Sequence, residues 1–163
     1  MTHPLFRLLT ALALLPLVSA AAPQEDHAAP YRILQQANLK LDSSLAASAY
    51  TSDGTLIFEY PGQPVETFKG TDSIRAAYVR TFGQVDMGTP IELEFRFEPP
   101  GLSSARQTGA YRFGAKVGGR DITVYGRFSV ELVKQDGAWR FAEDRGTVAT
   151  AADFNKLPDA ELE

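Results

Sequence analysis

The sequence predicts an α+β domain in which N-terminal helices pack on a strongly curved, mainly antiparallel sheet. Three observations predict it. Over the first half of the chain, apolar residues recur about every four positions, the period of a helix with one buried face. From about residue 91 the period drops to two, the spacing of strands with one buried side. Two hairpin dipeptides, Gly118-Gly119 and Asp136-Gly137, then separate the later apolar runs. Helices first and consecutive strands afterwards is the segregation that places helices over one face of a sheet.

The chain begins with an address. One basic residue, Arg7, precedes Leu8 to Val18, an apolar run broken only by Thr10 and Pro16, and Val18-Ser19-Ala20 supplies compact residues for a signal peptidase. Residues 1–20 therefore read as a signal peptide, too short to stay as a membrane anchor. Residues 21–30, with Pro23, Glu25, Asp26 and Pro30, read as a flexible leader. The mature chain is expected to be periplasmic or secreted, with no insertion in a membrane.

Tyr31 to Ala49 has no Pro or Gly, and Ile33, Ala37, Leu41 and Leu45 form an apolar stripe that Leu34 widens. Asp42-Ser43-Ser44 offers a cap within it, so the stretch is one long helix or two short ones. Tyr50 to Gly54 has turn composition, and Thr55 to Tyr60 is rich in strand formers. Thr71 is a candidate N-cap for a helix that buries Ile74, Tyr78 and Phe82 and stops at Gly83. Ile91 to Phe97 alternates cleanly. Tyr111, Phe113, Ala115 and Val117 share one face of the next strand. Ile122 to Lys134 and Ala138 to Val148 complete the set, and interior Gly114 and Gly126 predict bends. Ala151 to Glu163 is an acidic tail or a short terminal helix.

Composition excludes several chemistries. The chain has 163 residues, a length for one domain, and 44% of them are hydrophobic, enough for a core. A net charge of −4 argues against coating nucleic acid. With no Cys, thiol catalysis, zinc–thiolate sites and disulfides are out. The two His are His3, in the signal peptide, and His27, in the leader. Unless His27 folds back, proton transfer in the body falls to carboxylates, Tyr, Lys or Arg. No cofactor and no metal are expected.

Tyr50-Thr51-Ser52-Asp53-Gly54, a strand, and Gly70 to Tyr78 together resemble the nuclear transport factor 2-like superfamily, as do Gly126 to Val130 followed by Asp136 to Phe141. The branch they resemble is that of SnoaL-like cyclases and ketosteroid isomerases. The resemblance covers residues 31–149, with 150–163 left as a tail. It implies a cone-shaped fold with a deep, mainly apolar cavity, a small hydrophobic molecule as ligand and a homodimer. Isomerases of this group carry a base on the first strand; that position falls on Phe58 or Glu59, and their later acid falls near Ser129. SnoaL-like cyclases use an aspartate on the last strand, and Asp144 lies in about that register.

Asp144 is thus either a cavity acid or a solvated residue paired with Arg140 or Arg145. Strict alternation favours the second, because Trp139 and Phe141 occupy the other face; a bulge near Ala142-Glu143 reverses this. Tyr125 and Arg127, on one face of the long strand, are candidate polarising groups, with an outward face as the alternative. Tyr50, Phe58, Tyr78, Phe82, Phe95, Phe113 and Trp139 are the candidate ligand-binding aromatics. The favoured reading is binding of a small apolar molecule without turnover, and two alternatives stand beside it. One is a proton-transfer enzyme using Asp144 on a polyketide- or steroid-like ligand. The other is a pocketless dimerisation module. An acid inside an open pocket favours the first and a filled core the second.

Overall fold

The computed structural model describes residues 26–160 and Leu162. The expected signal peptide and residues 21–25 of the expected leader lie outside them. The fold begins earlier than residue 31: helix α1 spans Ala29–Lys40, with Pro30 in its first turn, where a fixed φ and a missing N–H are harmless. It buries Tyr31, Leu34, Ala37 and Asn38 and ends at Leu41, which is left-handed at φ 52°. Asp42 then caps α2 (Ser43–Ala47) by accepting from the Leu45 N–H at 2.9 Å. The apolar stretch is two helices, split at its own cap. In α3 (Thr71–Phe82) the cap is Gly70, at φ 81°, rather than Thr71, and Gly83 ends the helix as expected.

Six strands form one sheet in the order β2-β1-β6-β5-β4-β3. They are β1 (Tyr50–Glu59), β2 (Glu66–Lys69), β3 (Glu92–Phe97), β4 (Arg106–Val117), β5 (Arg120–Gln135) and β6 (Ala138–Val148). Every pairing is antiparallel except β1 with β6. The two hairpin turns sit at Gly118-Gly119 and Asp136-Gly137, each with two successive positive φ angles that match the twist of the strands. Tyr50 to Gly54 is strand, not turn. Its neighbour Ala49 accepts from the Phe141 N–H at 2.9 Å, and a Cβ at Gly54 would stand 3.0 Å from the Phe141 carbonyl. Backbone pairing to β6 thus overrides the turn composition. The short edge strand β2 escapes the apolar pattern because Phe68 is its one large apolar residue and shares its inner face with Glu66.

Helices α1 to α3 cover one face of the sheet. At the narrow end, Tyr31 is 1% exposed and sits among Phe95, Phe97, Phe128 and Phe141, ring centroids 4.9 to 5.8 Å away. Edge-to-face pairs of this kind contribute about 0.5–1.5 kcal/mol each beyond area burial. His27 folds back there too: its ring lies 4.3 Å from Trp139, and its Nδ1 is 2.7 Å from the Leu102 carbonyl oxygen. The chain end is a helix, α4 (Ala151–Asn155), opened by a reciprocal Thr150–Asp153 capping box. It buries Phe154 on the outer face of the sheet, under the guanidinium of Arg96 at 4.4 Å.

Candidate functional site

A cavity of about 550 Å³ lies between the inner face of the sheet and helices α1 and α3. Leu34 and Asn38 close it from α1, Tyr78 from α3, and Phe95, Phe113 and Asp144 from the sheet. Its mouth is polar. There Arg80 donates two bonds to Glu66, at 2.9 and 2.7 Å, and stacks 5.3 Å over Phe68. That pair satisfies both charges at the rim and holds the Glu66 carboxyl below its usual range.

Asp144 reaches this space because β6 carries an extra residue. Leu132 pairs with Phe141, but Glu131 pairs with Glu143, so Ala142 has no partner on β5. The slip places Phe141, Asp144 and Gly146 on the same inner face, opposite the buried Leu132, Val130 and Phe128. Arg145 points the other way, toward Glu59 and Glu143.

Around Asp144 the hydrogen bonds have one possible order. The Tyr50 hydroxyl donates to Oδ2 at 2.7 Å, which commits its only proton; Tyr78, 2.9 Å away, therefore donates to Tyr50. Among the described residues Oδ1 has no partner and opens on the cavity. Removal from bulk water raises the Asp144 pKa to about 6, against the opposing pull of the Tyr50 bond. Burial also raises Tyr50, Tyr78 and Tyr111, so all three stay protonated donors at neutral pH.

Two glycines shape the floor. Tyr111 pairs with Gly126, and its ring fills the place a Gly126 side chain would take: a Cβ there would stand 2.1 Å from the ring. The Tyr111 hydroxyl thereby reaches over β5 toward Gly146, whose Cβ would lie 3.7 Å from it and 3.4 Å from the Phe58 ring. Phe58 and Tyr60 form a near-parallel ring pair on one side of the floor, and Tyr111 and Phe113 form another on the other side. Among the described residues the Tyr111 hydroxyl has no hydrogen-bond partner.

Of the sequence-derived candidates, Asp144, Phe58, Tyr78, Phe95 and Phe113 border the cavity. Tyr50 stands behind Asp144, and Phe82 is buried behind Tyr78, 5.6 Å between rings. Three candidates lie elsewhere. Tyr125 and Arg127 face outward, since β5 turns Gly126 and Phe128 inward; Tyr125 packs near Phe154, and Arg127 pairs with Glu98 and Asp153. Trp139 belongs to the narrow end beside His27. Tyr111 and Gly146 were not among the candidates, although counting back from the Gly118-Gly119 turn sets Tyr111 opposite Gly126. Among the described residues no cluster of three or more His, Cys, Asp or Glu could hold a metal ion.

No protein-family model matches the sequence, and no curated protein matches it. Solved structures do. A ketosteroid isomerase-like protein from Erwinia carotovora atroseptica superposes with a TM-score of 0.55 at 18% identity, covering 77% of this chain and 95% of that one. A hexachlorocyclohexane dehydrochlorinase, LinA type 2, gives 0.55 at 16% identity, over 74% of this chain and 81% of that one. An LEH-like epoxide hydrolase of M. tuberculosis gives 0.52 at 17% identity, over 82% of this chain and 90% of that one. At these identities the likeness is one of fold. With helices over one face of a mixed sheet and a cavity between them, this chain shares the α+β fold of these ketosteroid isomerase-like structures.

Proposed function

We propose that the protein binds a small, mainly apolar organic molecule in the cavity and moves a proton on it, with Asp144 as acid–base. The observation that carries the reading is the split use of the Asp144 carboxylate. Tyr50 holds one oxygen and the cavity receives the other. A base near the working pH, fixed in one rotamer and facing an apolar space, is what abstraction next to a carbonyl requires. In that step Oδ1 takes the proton from the carbon, and the C–H electron pair moves into an enolate. Tyr111, rather than Tyr125, is the donor placed to bond the developing oxyanion. Asp144 then returns the proton to carbon. The named isomerase-like, dehydrochlorinase and hydrolase neighbours support a fold that accommodates small organic molecules. A filled, pocketless module is disfavoured by the cavity itself. The proposal includes export, supported by residues 1–20 alone, and a homodimer, supported by the sequence resemblance.

The test is deuterium exchange at the α-carbon of a panel of cyclic ketones in D₂O, followed by proton NMR. The wild type is expected to accelerate exchange for at least one ketone, and Asp144→Asn to lose about 10²–10⁴-fold of that acceleration. Equal rates with both proteins on every accelerated ketone would remove Asp144 from the chemistry.

A further inference from the structure

The charges around the cavity do not balance. Asp144 is mostly ionised above pH 6, and among the described residues no cation faces it. From β1 it meets the neutral Tyr50, from α3 Tyr78, from β4 Tyr111, and from α1 Tyr31 further in; β5 presents Val130 opposite it. The next cations are committed elsewhere: Arg145 to Glu59 and Glu143 on the outer face, and Arg80 to Glu66 at the mouth. Tyr50 supplies one hydrogen bond, and the other oxygen is left to whatever occupies the cavity. The walls on either side are two aromatic ring pairs, Phe58 with Tyr60 and Tyr111 with Phe113, separated by a floor that Gly146 keeps free of side chains. An unbalanced carboxylate among aromatic rings is the chemistry that recognises an ammonium group, through a charge-assisted bond and attraction to the rings.

We propose that the cavity also takes compact organic cations, aryl- or alkylammonium ions, with the ammonium on Asp144 and the hydrocarbon between the two ring pairs. The inference rests on the cavity and the inward Asp144 of the preceding reading, and not on any turnover. Such an ion supplies the positive charge that the cavity lacks, and by occupying Oδ1 it blocks proton transfer there. A ligand bound this way favours the ionised carboxylate, so its binding strengthens as pH rises through about 6, the value at which Asp144 titrates.

Phenethylamine and its neutral counterpart 2-phenylethanol test this, by NMR chemical-shift titration of the wild type and Asp144→Asn at pH 7.5. The phenethylammonium ion is expected to bind wild type about tenfold more tightly than the alcohol, and the preference is expected to collapse in Asp144→Asn. A wild-type titration at pH 5 gives the same answer without a mutation: the preference is expected to shrink as Asp144 takes up a proton. Equal affinities in wild type, or a preference that survives both Asp144→Asn and pH 5, would overturn the inference. Binding of the alcohol alone would overturn it while leaving the proton-transfer reading intact. Failure of both to bind would count against this inference and against an open cavity together.

Discussion

At pH 7 the Asp144 carboxylate is charged inside a wall of rings, and the protein gives it one donor instead of a counter-ion. Two consequences follow with definite signs. A carboxyl that titrates at about 6 in the native state and at 3.8 when unperturbed keeps a proton that the unfolded chain has released. Its contribution to stability is therefore present at low pH and is lost as pH rises from 3.8 to about 6. Asp144→Asn is expected to melt higher than wild type at pH 7.5, with the difference vanishing below pH 4, as followed by circular dichroism. Unchanged melting at pH 7.5 would mean that the carboxylate is better solvated than the cavity allows. Tyr50→Phe removes the one donor that favours the charged form. Its Asp144 is expected to titrate above the wild-type value and to carry the rising limb of any pH–rate profile with it; a pure packing defect would lower the rate without moving the limb. The sequence points to Asp144 through resemblance, whereas strict alternation points it outward. What alternation lacks is the one-residue slip at Ala142, which composition does not mark.

That slip is a property of β6 as an element, and it can be removed. Without Ala142 the strand would alternate regularly as Phe141 inward, Glu143 outward and Asp144 inward, in the register now observed with β5. Deleting Ala142 is thus expected to leave a folded protein whose Asp144 still titrates well above an ordinary carboxylate. An ordinary titration after the deletion would place the bulge elsewhere. On β4 and β5 one close contact that bears on the cavity is Tyr111 over Gly126. Gly126→Ala drives a methyl into that ring and is expected to cost about 1–3 kcal/mol in denaturant unfolding, while displacing the Tyr111 hydroxyl from the cavity floor. A neutral substitution would show that the ring does not lie there. The hairpins, the alternation of β3 and the inner face of β5 were legible because turn dipeptides and a period of two are local signals. The start of β1 was not, because pairing with the distant β6 makes it a strand, and β2 was not, because four residues with one large apolar side chain give no period to read.

For the molecule as a whole, the segregation of helix-period and strand-period halves was enough to predict helices over one face of a curved sheet, while the cone came from the family resemblance; the solved structures share the fold. The chain ends were less legible. His27 and α4 carry too few apolar residues to register as pattern, yet His27 packs on Trp139 and Phe154 is fully buried under Arg96. One result is that Trp139 reports on the narrow end instead of the cavity: His27→Ala is expected to change its emission, and cavity ligands are expected to leave it unchanged. A strong response of Trp139 to such ligands would relocate the binding site. The account depends most on an acid held inside a hollow cone, and the carboxyl carbon of Asp144, assigned by comparison with Asp144→Asn, reports on it directly. Followed by ¹³C NMR across pH 3 to 9, it is expected to titrate at about 6; a midpoint at the unperturbed 3.8 would mean that Asp144 stands in water and that the cavity holds no acid.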